Sequence, residues 1–204
     1  MSEKQQIEKR PLGQTEIEIT PIGLGVMQFA GGKGVFKLMF ADISQTEMNQ
    51  IVQTALDGGV NWFDTAEMYG NGRSEAGLAT ALQAAQYNGD IHVATKWFPI
   101  LRTASNIRRT IDKRQSHLAP YPIDLYQIHQ PYSFSSPEAE MEAMADLVAA
   151  GKIRSIGVSN FDEERMRRAH AALAKRGLPL ASNQVQYHLL DRSIETNGVL
   201  EAAK

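Results

Sequence analysis

Six short apolar runs alternate with longer amphipathic segments along this chain, and nearly every run ends on a polar residue able to do chemistry. The runs cover residues 22–25, 62–64, 91–96, 125–129, 155–159 and 183–185. Between them, helical periodicity marks residues 44–56, 74–86, 104–117, 137–150 and 162–175, and a sixth helix opens near Ser193. Helix boundaries are written locally. Ser44 with Glu47 forms a capping box, Pro137 suits a first helical turn, Asp162 is a good N-cap, and Gly151 and Gly177 are good stops. Strand–helix alternation forces parallel pairing, with helices packed over the sheet. Ahead of it, residues 7–10 and 17–20 flank a turn at Gly13–Gln14 and predict an N-terminal β-hairpin.

Strand ends fall at Gly25, Asp64, Lys96, His129, Ser159 and about Gln184, separated by 39, 32, 33, 30 and 25 residues. The period is structural, since no sequence identity between units is visible. An open doubly wound sheet and a closed barrel both use this alternation, and both place chemistry at the carboxyl ends of strands. A doubly wound sheet gathers its ligand groups near one switch point. Here each strand from the second to the sixth ends in a candidate group, which favours the barrel. Gly31–Gly34 reads as the most flexible stretch, in a long loop after the first strand.

Composition narrows the chemistry. The 204 residues contain no cysteine, which removes disulfides, thiolate metal sites and thiol nucleophiles. With 21 basic against 23 acidic residues, the charge does not suit a dedicated nucleic-acid binder. No stretch is apolar enough to span a membrane, and the polar N-terminus lacks a signal-peptide core. A cytoplasmic, reducing setting is expected. His92, His117, His170 and His188 lack metal-ligand spacing, so no metal is expected. Gly23, Gly25 and Gln28 mimic a dinucleotide fingerprint without its third glycine, and read as a tight strand exit.

Asp64, Tyr69, Lys96 and His129 are the candidate reactive group. A buried lysine needs a partner, which Asp64 could supply. A cation beside a tyrosine favours phenolate, lowering its pKa and fitting it to protonate a carbonyl oxygen. His129 could orient that carbonyl. A plainer reading is a Lys–Asp core pair, a packing tyrosine and a hydrogen-bonded histidine, and spacing alone leaves the two level. Glu67 reads equally as a support group or a surface residue. Trp97–Phe98 reads equally as a pocket wall or core. Arg108–Arg109 and Arg165, Arg167 and Arg168 read as solvated helix faces.

These residues carry a family resemblance. The run from Val60 through Asp64 and Tyr69 to Gly70, followed by Ser74–Glu75, resembles a signature of the aldo-keto reductases. So do Ala94-Thr-Lys96, the run from Asp124 to His129, the run from Gly151 to Phe161, and Asn183-Gln184 through Tyr187. The opening Lys9–Gly13 and Gly23–Gly25 resemble the family's hairpin and first strand. The resemblance covers nearly the whole chain in order. It implies an α/β fold of the (β/α)8 TIM-barrel type with an N-terminal β-hairpin, here one domain, with residues 1–20 as hairpin and 21–204 as six strand–helix units. It also implies hydride transfer between NADPH and an aldehyde or ketone as the small-molecule substrate. Tyr69 would be the general acid, Lys96 and Asp64 its electrostatic partners, and His129 the carbonyl orienter. Ser159, Asn160 and Gln184 would hold the nicotinamide carboxamide, with Gly25, Val26, Met27 and Asp64 beside the cofactor. Trp97 and Gln130 would border the substrate.

The sequence departs from the family at Leu78–Ala79, where Leu-Gly is usual, and at Gln130, where Arg, Trp or Asn is common. Against eight expected units the chain supplies six, so a truncated barrel is expected. The last two strands, the residue that stacks on nicotinamide and the loop for the 2′-phosphate would be missing. Open strand edges would then favour self-association. The alternative reading is a cofactor-binding regulatory or non-catalytic fragment of the same fold.

Overall fold

The computed structural model describes residues 7–31 and 41–204. Most of the Gly31–Gly34 stretch lies outside the described residues. A two-stranded antiparallel hairpin, β1 (Arg10–Pro11) and β2 (Glu18–Ile19), comes first. It is shorter than the 7–10 and 17–20 pairing expected. The register is set by Leu12 and Ile17, both buried, whose backbone bond of 2.8 Å closes the turn.

Six parallel strands follow: β3 (Leu24–Gly25), β4 (Trp62–Asp64), β5 (His92–Trp97), β6 (Leu125–Ile128), β7 (Ser155–Ser159) and β8 (Ser182–Gln184). Their order in the sheet is the order in the chain. The helices between them are α1 (Gln45–Asp57), α2 (Arg73–Ala85), α3 (Ser105–Leu118), α4 (Pro137–Ala149) and α5 (Glu163–Ala174). The last, α6 (Val199–Ala203), begins later than expected. Residues Ser193–Glu195 form a 3-10 turn, and Gly198 takes a left-handed φ of 85° that interrupts any helix through it. A second 3-10 turn, Met27–Ala30, follows β3 directly.

The local signals act as the residues dictate. At α1 the Ser44 side chain accepts from the Glu47 amide, and Glu47 returns a bond to the Ser44 amide at 2.8 Å. At α5 Asp162 accepts from the Arg165 amide at 2.8 Å. Each cap satisfies amides that the helix itself leaves unpaired. Gly151 and Gly177 both adopt a φ of 67° just past α4 and α5.

The chain divides into two compact units. The first holds residues 1–12, 16–95 and 113–124; the second holds 13–15, 96–112 and 125–204. The division falls within β5, between Thr95 and Lys96. The first unit has its own core of Val52, Phe63, Leu78, Leu82 and Val93. Leu78–Ala79 sits fully inside it, so the substitution of alanine for glycine is a packing change. The second unit packs Trp97, Ile107, Tyr126, Met144, Val158 and Phe161. β4 and β5 are in register as Asp64 with Ala94 in the first unit, and β7 and β8 as Ser159 with Gln184 in the second. Among the described residues, no helix is long and apolar enough to cross a membrane.

Candidate active site

In the first unit, β4 ends on Asp64, and the chain turns at once toward α2. Thr65 donates to Ser74 at 2.8 Å, and Ser74 donates onward to the Val26 carbonyl at 2.7 Å. These hydroxyls tie the exits of β3 and β4 to the start of α2. The Val26 amide also bonds the Asp64 carbonyl at 2.9 Å. Asp64 and the segment Gly25–Met27 are therefore neighbours. Gly25 is exposed, Val26 buried and Met27 half-buried.

Tyr69 opens a 3-10 turn in the same loop, its amide bonded to the Ala66 carbonyl at 3.1 Å. The next residue must be glycine. Gly70 has a φ of 64°, and a β-carbon there would lie 2.7 Å from the Ala30 carbonyl oxygen. The lowered pKa expected of Tyr69 is not found: burial pushes the phenol up to about 12, with the negative charge of Asp64 adding to the effect. Tyr69 is therefore a protonated phenol at neutral pH.

Behind this loop lies a group of charges that the sequence reading missed. Arg114 donates to Glu67 at 3.1 Å and lies 3.4 Å from Glu75. Glu75 also accepts from Thr95 at 2.7 Å and faces His117 at 3.1 Å. Glu67, Glu75 and Arg114 are all buried. Burial raises the Glu75 pKa, while Arg114, Thr95 and His117 pull it down. Glu67 is thus a buried ion-pair partner and not a surface residue. Arg114 and His117 carried no local motif, and only their spacing of one helical turn could have suggested a shared face.

In the second unit, Lys96 is the last residue but one of β5, and His129 follows β6. Lys96 is 2% exposed and His129 8%. The His129 amide bonds the Trp97 carbonyl at 3.0 Å, fixing the exit of β6 against that of β5. Burial, with the Lys96 charge adding to it, lowers the His129 pKa to about 4, so its imidazole is neutral at physiological pH. Phe98 packs edge-on against it, centroids 6.5 Å apart. Trp97 is fully buried, and its indole donates to Asn106 at 3.0 Å. Of the pair, Phe98 is the one with accessible apolar surface. Gln130 is half-buried. The loops after β5 and β6 also present Leu101, Tyr132 and Phe134, 78%, 64% and 72% exposed. A bond of 2.9 Å from the Phe134 amide to the Arg102 carbonyl joins those loops. The sequence reading passed over these side chains, although two aromatics so soon after His129 were a signal.

Ser159, Asn160 and Gln184 come together at the ends of β7 and β8. Ser159 donates to the Gln184 carbonyl at 2.9 Å, and the Asn160 amide nitrogen to Ser159 Oγ at 3.0 Å. Asn160 also donates to the His129 carbonyl at 3.2 Å. Its backbone takes a left-handed φ of 60°, a conformation asparagine tolerates better than most residues. A cavity of about 460 Å³ in this unit is lined by Met166, His170, Leu180 and Asn183, and none of the candidate residues borders it. Among the described residues, no group of His, Asp or Glu could hold a metal ion.

The Aldo/keto reductase family profile matches residues 21–204. The chain belongs to the aldo/keto reductase family. An oxidoreductase of Mycobacterium tuberculosis is 37% identical over 84% of this chain and 51% of its own length. The aldo-keto reductase YhdN of Bacillus subtilis is 32% identical over 97% of this chain and 59% of its own. The 6-dehydroglucose reductase of Novosphingobium aromaticivorans is 30% identical over 95% and 64%. The chain thus spans between half and two thirds of the length of these relatives. Among solved structures, a thermostable aldo-keto reductase crystallised with the inhibitor epalrestat superposes with a TM-score of 0.80 at 33% identity, over 96% of this chain and 68% of that one. The aldo-keto reductase AKR11C1 of Bacillus halodurans, in its holo form, gives 0.78 over 97% and 64%, and at 24% identity it speaks for the fold. The α/β fold of TIM-barrel type read from the strand ends is therefore the fold of this family member, with six parallel strands behind an N-terminal hairpin.

Proposed function

We propose that the protein reduces an aldehyde or ketone, taking hydride from a reduced nicotinamide cofactor, NADPH, and a proton from Tyr69. The observation that carries this reading is the placement of Tyr69 in the loop that leaves β4 at Asp64, in a member of an oxidoreductase family. The donor set suits the cofactor. Ser159, Asn160 and Gln184 offer hydroxyl and amide groups within one small cluster, and a carboxamide needs both donors and acceptors. Gly25, Val26 and Met27 would flank the same ligand. When bound, the nicotinamide supplies the hydride.

The chain's own residues supply position and charge. Tyr69 releases its proton to the carbonyl oxygen as negative charge grows there. A phenol held at about 12 is a poor acid, so proton release requires a cation to favour the phenolate once substrate and cofactor are in place. Lys96 is assigned that role, and Asp64 balances the lysine. His129, neutral, donates a hydrogen bond to orient the carbonyl. Phe98, Leu101, Tyr132 and Phe134 make an apolar rim, with Gln130 as its polar member, which suits an aromatic or aliphatic carbonyl compound. Trp97 supports that rim from within the core. A cytoplasmic setting and self-association through the β3 and β8 edges belong to the same reading, and light scattering tests the latter.

The test is oxidation of NADPH with 4-nitrobenzaldehyde. Wild-type protein should turn over, and Tyr69→Phe should lose activity by a factor of about 10²–10⁴, the usual worth of a general acid. Cofactor binding without turnover in the wild type would instead favour a regulatory binding module.

A further inference from the structure

The loop that carries Tyr69 is gripped at two points by one helix face. At its start, Glu67 accepts from the Arg114 guanidinium at 3.1 Å, with both side chains buried. At its end, Gly72 has a φ of 94° and lies so close to the His117 ring that any β-carbon would collide with it. Arg114 and His117 are one turn apart on α3 and share a third partner, the fully buried Glu75. Thr95 completes Glu75's contacts from β5, at 2.7 Å. None of these charges is needed for the proton transfer itself. A core that only had to be stable would do as well with apolar groups, since a buried ion pair seldom adds net stability.

We propose that Arg114 is a positioning residue: through its ion pair with Glu67, and braced by Glu75, it fixes the loop that holds Tyr69. This rests on the reading of Tyr69 as the proton donor. Glu67 lies two residues before Tyr69, with only Met68 between them. A loop freed at Glu67 moves the phenol, and a displacement of the order of 1 Å is enough to cost a reaction about a hundredfold.

The experiment compares Glu67→Gln, Arg114→Lys and Arg114→Met with the wild type, by amide hydrogen exchange and by turnover. Glu67→Gln keeps shape and an acceptor, so it covers the case in which the arginine variants fail to fold. In Glu67→Gln the Tyr69 amide should exchange about tenfold faster, while the Val93 amide, bonded to the Asp124 carboxylate at 2.9 Å, keeps its protection. Turnover should fall about ten- to a hundredfold, with cofactor affinity unchanged. Arg114→Lys should lie between wild type and Arg114→Met, since it keeps the charge and loses the fork. Unchanged Tyr69 exchange in the folded Glu67→Gln protein would overturn the proposal. So would an equal loss of protection at Val93, which would mark a general structural role. Normal turnover in Tyr69→Phe would instead overturn the donor reading, and the exchange result would still stand or fall by itself.

Discussion

The loop bearing Tyr69 in the first unit and the Ser159–Asn160–Gln184 cluster in the second are built on opposite electrostatic plans. The first is braced from behind by Glu67, Glu75 and Arg114, all buried. The second is held by neutral hydroxyl, amide and backbone groups, and Asn160 and Gln184 are exposed. The difference follows from the tasks proposed for them. A proton donor must stay where it is put, and buried charges with several partners have few alternative arrangements. A carboxamide clamp must meet an incoming ligand, so its groups need open faces and modest intramolecular bonds.

The largest effect should come from taking one charge out of the brace. Glu75→Ala leaves Arg114 with one carboxylate and should destabilise the fold by about 3–5 kcal/mol, read from denaturant unfolding. A cost below about 1 kcal/mol would mean that the buried charges are solvated and the contrast with the second unit is false.

A buried carboxylate in the second unit sharpens the comparison. Glu140, 2% exposed, is pushed by burial from 4.5 up to about 7, against the opposing pull of Ser133 and Arg165. A raised folded pKa means stability is present below pH 4.5 and lost as pH rises through about 7. Glu140→Gln should remove that loss and gain about 1–3 kcal/mol at pH 8 relative to pH 4, measured as the difference in unfolding free energy. His129 works the other way. Its folded pKa is depressed from 6.5 to about 4, so its contribution is lost as pH falls through that range. The Glu140→Gln protein should therefore show a clean rise in stability with pH between about 4 and 6.5, which wild type partly cancels.

The smallest effect on stability, with a clear effect on binding, should come from Asn160→Gly. Glycine keeps the left-handed backbone and removes the amide, so stability should change by about 1 kcal/mol or less. NADPH affinity should fall about tenfold in a fluorescence titration, the worth of one good hydrogen bond to a ligand. Unchanged affinity would remove Asn160 from the clamp.

Strand ends and caps were legible in the sequence because each is a local rule. Asp64, Lys96 and Ser159 stand at or within one residue of the ends expected for their strands, and the capping box at Ser44 forms as written. The brace was not legible. Arg114 lies 47 residues from Glu67 and 39 from Glu75, and nothing in the periodicity of α3 separates a buried arginine from the solvated ones beside it. The hairpin and the last helix were placed a few residues off because their ends depend on single contacts, Leu12 with Ile17 and the left-handed Gly198. Trp97 read equally as wall or core, since a pattern of apolar residues cannot say which of two neighbours keeps its face in solvent.

Tyr69 is proposed to give the proton, and Lys96 to make it able to. The pH dependence of carbonyl reduction with NADPH, measured for wild type and Lys96→Met, tests it most directly. Wild type should reduce 4-nitrobenzaldehyde, with activity falling as the pH rises and Tyr69 loses its proton. Lys96→Met should lose turnover by a factor of about 10²–10⁴ at neutral pH, because the phenol keeps its proton too tightly. Equal rates and equal pH profiles in the two proteins would contradict the account.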